Sequence, residues 1–205
     1  MKRTFFGCVL AALFWFVLFS PWTSGRINFW AGMAGASGLL ALFGLVSNKS
    51  KITELYAFQP RWIVVGLLSA AVLYGIFYVG DKISTTLFEF AAPGVAGIYG
   101  TKSQASPVVI GTLLLLWIGP AEEIFWRGFV QERFAGRFGA WRGYMITGAI
   151  YGGVHIWAFN VMLFAAALIC GLFWGWMFLK YKSVWPGLIS HSIWDLLIFV
   201  LLPIR

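Results

Sequence analysis

Charge is what this sequence has least of. Only 11% of its 205 residues are Asp, Glu, Lys or Arg, and just seven of these are acidic, whereas a water-soluble domain carries about 25% charged residues. A surface so poor in charge cannot face water over most of its area, which excludes an ordinary soluble fold. Cysteine is equally scarce. Cys8 and Cys170 both fall within apolar runs, so a disulfide framework is excluded and neither thiol has a neighbour that would activate it. No Ser/Pro-rich linker, charge block or low-complexity stretch divides the chain, and a single membrane-embedded domain over residues 1–205 is expected.

What the chain has instead is apolar length: 60% of it is hydrophobic and 19% aromatic, and its mean hydropathy is +0.84. Crossing about 30 Å of hydrocarbon takes roughly 20 residues of helix. Seven stretches qualify, approximately Phe5 to Phe19, Ile27 to Val46, Trp62 to Val79, Pro107 to Phe129, Gly143 to Phe159, Met162 to Leu179 and Trp185 to Leu202. They predict an all-α polytopic transmembrane bundle of about seven helices. The first stretch, with Lys2 and Arg3 ahead of it and Pro21 behind, also has the outline of a signal peptide. No small-x-small cleavage site follows it, and it is read as a helix.

The net charge of +8 does not point to nucleic acid, because the basic residues sit in short clusters between apolar runs and form no stripe on a polar face. They read as topology signals. With the N-terminus inside, Lys2, Arg3, Lys49, Lys51, Arg61, Arg133, Arg137, Arg142, Lys180 and Lys182 lie on the cytoplasmic side, against Arg26, Lys82, Lys102 and Arg205 outside. That excess predicts a cytoplasmic N-terminus. Trp22, Trp30, Trp62, Trp141, Trp157 and Trp185 fall near the expected helix ends, where indole rings favour the interface. Residues 81–106, broken by Pro93, Gly94, Gly97 and Gly100, read as an outer loop with an interfacial helix. Gly171 and Gly175 form a small-x-x-x-small pair suited to close helix approach.

Glu54, Asp81, Glu89 and Glu132 are placed in or beside loops. Glu122, Glu123 and Asp195 lie within apolar segments, as do His155 and His191, the chain's two histidines. A charge at mid-membrane costs at least about 2.5 to 3.5 kcal/mol, so this concentration marks a candidate site. Glu123 and Arg127 are four apart and share a helix face, where they can neutralise each other. Glu122 is turned away from Glu123 by about 100°. His191 and Asp195 are also four apart, and His155 stands on a separate helix. A carboxylate beside an imidazole in a confined cavity is the arrangement that holds and deprotonates a water molecule, and a second imidazole can stabilise the oxyanion formed when that water attacks an amide.

Three motifs, Glu122-Glu123-Ile-Phe-Trp-Arg127, Tyr151-Gly-Gly-Val-His155 and His191-Ser-Ile-Trp-Asp195, resemble those of the CAAX-protease and bacteriocin-processing intramembrane endopeptidases. The resemblance spans roughly Gly119 to Leu202 and implies a catalytic core of about 107–202. It implies Glu122 as base, His155 holding the water with it, His191 and Asp195 on the oxyanion side, and Glu123 with Arg127 bracing the first motif. Tyr151 stands where Phe is usual, a change expected to be harmless. Asp195 stands where prenyl-protein members have Asn. An ionised Asp195 cannot donate to an oxyanion, so it is either protonated or serves to orient His191.

Two other classes compete with a hydrolase. A haem or quinone protein would use His155 and His191 as axial ligands and leave Glu122, Glu123 and Arg127 without a role. A proton-relay transporter would use Glu122 and Asp195, yet the chain has no clear inverted repeat. Within the hydrolases, Glu122, His155 and His191 could bind zinc with water in the fourth position, but the His-Glu-x-x-His signature is absent. A metal-free, glutamate-dependent mechanism with no cofactor is favoured. The expected partners are the lipid bilayer and a membrane protein or lipidated peptide, and the chain's small size and lean loops suggest a prokaryotic plasma (inner) membrane.

Overall fold

A computed structural model describes residues 1–204 of the chain. Among these the regular structure is all helical, and every one of the seven apolar stretches is helix. In chain order the principal elements are α1 (Lys2–Phe19), α2 (Phe29–Ser47), α3 (Arg61–Leu87), α4 (Ala91–Tyr99), α5 (Pro107–Phe138), α6 (Ala140–Gly153), α7 (Val161–Tyr181) and α8 (Trp185–Leu201), with one short turn at Ile52–Leu55. Five of them, α1, α2, α3, α5 and α7, are long and apolar enough to cross a membrane. Helix α6 has only 14 α-helical residues and is prolonged by a 3-10 segment at Val154–Ala158, and α8 is a shorter apolar helix.

Local chemistry fixes several helix starts. Asn28 caps α2 by accepting from the Ala31 amide, Ser106 caps α5 with Pro107 behind it, and Asn160 caps α7 through the amides of Met162 and Leu163. A side-chain acceptor at this position satisfies amides that have no partner in the first turn. Helix α5 continues past the expected end near Phe129 to Phe138, a reach of about 48 Å at 1.5 Å per residue over its 32 residues. It widens into π turns at Leu114–Ile118 and Trp126–Gln131. The first precedes Pro120, which has no N–H to give and whose ring crowds the carbonyl four residues back.

Contacts between elements sort into two ends. At one, Asn48 donates to Gly128 O (2.9 Å), Arg133 to Ser47 O (2.5 Å) and Trp185 to Tyr56 O (2.8 Å). At the other, Asn28 donates to Gln104 O (2.8 Å), Trp30 to Thr101 O (2.9 Å), Asn160 to Gly94 O (2.8 Å) and Tyr99 to Ile198 O (2.8 Å). The chain therefore threads up and down between them, and α4 lies at the second end. Between the ends the core is aromatic, with Trp15, Trp126, Trp174, Phe125, Phe129 and Phe134 all fully buried. The outer faces carry exposed Phe6, Leu39, Leu68, Val72 and Leu116, the pattern of a surface solvated by lipid.

Two acidic residues depart from their expected places. Asp81 is not in a loop: α3 runs on to Leu87 and buries it. Glu132 lies inside α5, 3.9 Å from Lys51.

Candidate active site

Glu122 and Glu123 stand between the two π turns of α5, both buried, and their side chains diverge into different surroundings. Glu123 Oε1 lies 3.0 Å from Arg127 Nη1 and 3.0 Å from His191 Nδ1. Arg127, 1% exposed, gives Nη2 to the carbonyls of Gly171 (3.2 Å) and Cys170 (3.5 Å) on α7. Its guanidinium lies over the Tyr151 ring at 4.8 Å and the Trp174 ring at 5.7 Å. These contacts compensate a charge that burial alone would make costly. Gly171 and Gly175 thus do more than allow packing, because their carbonyls receive Arg127 and Gln131 (2.8 Å).

His191 stacks on Trp174 with ring centroids 3.7 Å apart and planes at 17°, and Trp174 is held by a 3.2 Å bond from Nε1 to Ser190 Oγ. On its far side His191 Nε2 sits 3.5 Å from Asp195 Oδ2. One chain of polar contacts therefore runs from the α7 carbonyls through Arg127, Glu123 and His191 to Asp195, tying α5, α7 and α8 together. Gly187 makes room for it: a Cβ there would meet Glu123 Oε2 at 2.7 Å.

Glu122 has a different partner. Its Oε2 accepts from the Tyr151 hydroxyl at 2.9 Å, so the tyrosine that replaces the usual phenylalanine is not idle. Tyr151 also connects Glu122 to His155, whose Nδ1 lies 2.8 Å from the Tyr151 carbonyl. His155 Nε2 accepts from the Trp15 indole at 2.9 Å. The structure thus gathers Glu122, Glu123, Arg127, His191 and Asp195, and joins His155 to them through Tyr151; among the described residues no hydrogen bond runs directly from His155 to Glu122 or Glu123. Trp15, Trp174 and Gly187 escaped the reading of the sequence, since an apolar or small residue in a membrane helix carries no mark of a polar partner.

Among the described residues no three His, Cys, Asp or Glu side chains, Glu122, His155 and His191 included, gather in the geometry of a metal-ion site. Both nitrogens of His155 are also already engaged.

Fold and site together define a polytopic helical membrane protein with an acid–imidazole cluster buried among its spans. Residues 103–197 match the family described as type II CAAX prenyl endopeptidase Rce1-like. That segment contains all three motifs and bears out the resemblance to the CAAX-type intramembrane endopeptidases drawn from them. Comparison with curated proteins and with solved structures gave no match.

Proposed function

We propose that the chain hydrolyses a peptide bond of a membrane-associated or lipidated protein with water activated by Glu122. One observation carries this reading. Of two adjacent carboxylates, Glu123 is taken up by Arg127 and His191, whereas Glu122 has the neutral Tyr151 hydroxyl on one oxygen. Two neighbouring acids in such unlike surroundings divide into a structural group and a working group.

In this mechanism Glu122 takes a proton from the water, with His155 as its second anchor. The resulting hydroxide attacks the amide carbon. The oxyanion forms on the side of His191 and Asp195, where a proton held between His191 Nε2 and Asp195 Oδ2 is the donor that reaches it. The tetrahedral intermediate collapses when Glu122 returns its proton to the leaving nitrogen, so no covalent enzyme intermediate and no metal are required. The substrate class suggested by the family description is a protein processed near a lipidated C-terminus, and the chain's small size and lean loops favour a prokaryotic plasma membrane as its setting.

The test is Glu122→Ala, assayed on a fluorescence-quenched farnesylated peptide ending in a CAAX sequence and by comparing the membrane-protein fragments that accumulate with active and substituted enzyme. Turnover is expected to fall by at least about 10³-fold, of the order that a positioned base and its water contribute, with the protein still inserted and folded. Near-normal cleavage by Glu122→Ala would defeat the assignment, and loss of activity to a chelator would replace it with a metal mechanism.

A further inference from the structure

His155 is more fully occupied than a water-holding histidine can be. Its Nδ1 faces the Tyr151 carbonyl at 2.8 Å, and a carbonyl only accepts, so Nδ1 carries the proton. The other nitrogen, Nε2, then has the lone pair, and it is this nitrogen that orientation by a backbone carbonyl leaves free for chemistry. Here it is not free. The Trp15 indole N–H, a group that can only donate, points into it at 2.9 Å. Trp15 is 0% exposed and sits edge-on to the imidazole, with Phe19 closing the same side at 5.5 Å between ring centroids.

Trp15 belongs to α1, outside the residues that match the endopeptidase family. The seam between α1 and the His155 segment is built from aromatic pairs, Phe16 against Trp157 at 5.1 Å and Trp22 against Phe159 at 5.4 Å. The segment itself is irregular. It is a 3-10 turn, a form that often marks hinges, and it ends at Phe159 with φ of 49°, a backbone conformation unusual for a bulky side chain.

We propose that Trp15 is a latch: α1 holds the site closed by occupying the His155 nitrogen that must bind water, and a membrane peptide enters by parting α1 from the Val154–Ala158 segment. The inference rests on the hydrolase reading above. It makes Trp15 a positioning residue that acts through His155, and it makes the α1 seam the route by which substrate reaches Glu122.

The experiment uses the full chain in lipid nanodiscs. Diethyl pyrocarbonate acylates an imidazole nitrogen that has a free lone pair, and with only two histidines in the sequence mass spectrometry resolves His155 from His191. Trp15→Phe removes the N–H and keeps an aromatic ring, while Phe16→Ala loosens the seam without touching His155. Both variants are expected to speed the labelling of His155 relative to His191. Both are also expected to raise turnover of the farnesylated peptide by about two- to ten-fold, the factor that one hydrogen bond controls, and Glu122→Ala in the same background should remain inactive. Wild-type labelling of His155 in Trp15→Phe overturns the latch whatever the peptide shows. Faster labelling with slower turnover overturns it as well, because Trp15 would then serve catalysis in place. If Trp15→Phe fails to fold, the labelling of Phe16→Ala decides. Failure of the underlying reading is seen separately, as cleavage that survives Glu122→Ala with Trp15 intact.

Discussion

Tyr151 links the two halves of the candidate site with three different parts of one residue. Its hydroxyl donates to Glu122, its carbonyl faces His155, and its ring lies under the Arg127 guanidinium. Only the first contact needs the oxygen that distinguishes tyrosine from phenylalanine. Tyr151→Phe should therefore leave the fold and the Arg127 contact intact and release one oxygen of Glu122. The expected result is a three- to ten-fold fall in kcat at unchanged KM, about what one hydrogen bond controls, with little change in the melting temperature in detergent. An unaltered kcat would mean that the hydroxyl does not orient the carboxylate. Residues of this kind set the limit of what the sequence reveals. Glu122, Glu123, Arg127, His155, His191 and Asp195 are legible because charge and imidazole are expensive in lipid and stand out against apolar neighbours. Trp15 donates a hydrogen bond to His155 and Trp174 stacks on His191, yet each looks like ordinary membrane core.

Helices α5 and α8 carry most of the polar chain, and both are shaped by residues chosen for what they lack. The seven apolar stretches could be found from length and hydropathy, which follow directly from the thickness of the bilayer. The π turns on either side of Glu122 and Glu123 could not, since their registers depend on which side chains meet across the bundle. Neither could the extension of α3 that buries Asp81. Gly187 on α8 is the clearest case of an element built around a neighbour. Its missing Cβ leaves space for Glu123 Oε2, and that carboxylate cannot easily move because Arg127 and His191 hold its other oxygen. Gly187→Ala is expected to destabilise the fold by about 1–3 kcal/mol, the usual cost of overpacking. It should also reduce activity more than this loss explains, since displacing Glu123 releases His191. A melting curve and a rate measured on the same preparation test this; normal activity in a destabilised variant would separate Glu123 from the placement of His191.

Across the whole molecule, the two ends of the bundle differ in charge as well as in contacts. The end where Asn48 meets Gly128 and Trp185 meets Tyr56 also holds Lys49, Lys51, Arg61, Arg133, Arg137, Arg142, Lys180 and Lys182. Phe5 packs on Phe134 there, which brings Lys2 and Arg3 to the same end. The opposite end, roofed by α4, has only Arg26, Lys82 and Lys102 among the described residues. Short loops rich in Lys and Arg stay in the cytoplasm, so the basic end with the N-terminus is expected to face inward. Five of the helical stretches are long and apolar enough to cross; a topology in which all seven cross is expected to have Lys2–Phe19 and Trp185–Leu201 as its two shortest spans. His155 and Asp195 stand in the halves of their helices nearer the α4 end, so the site is expected to lie closer to the outer leaflet. Two exposed serines mark the ends: Ser24 in the turn after α1 and Ser50 in the turn after α2. In intact cells a membrane-impermeant maleimide should label Ser24→Cys and leave Ser50→Cys unlabelled until the membrane is opened. Labelling in the opposite order would invert the bundle and place the candidate site nearer the cytoplasmic leaflet, whereas labelling of both in sealed cells would rule out an odd number of crossings between them, including the single pass assigned to α2.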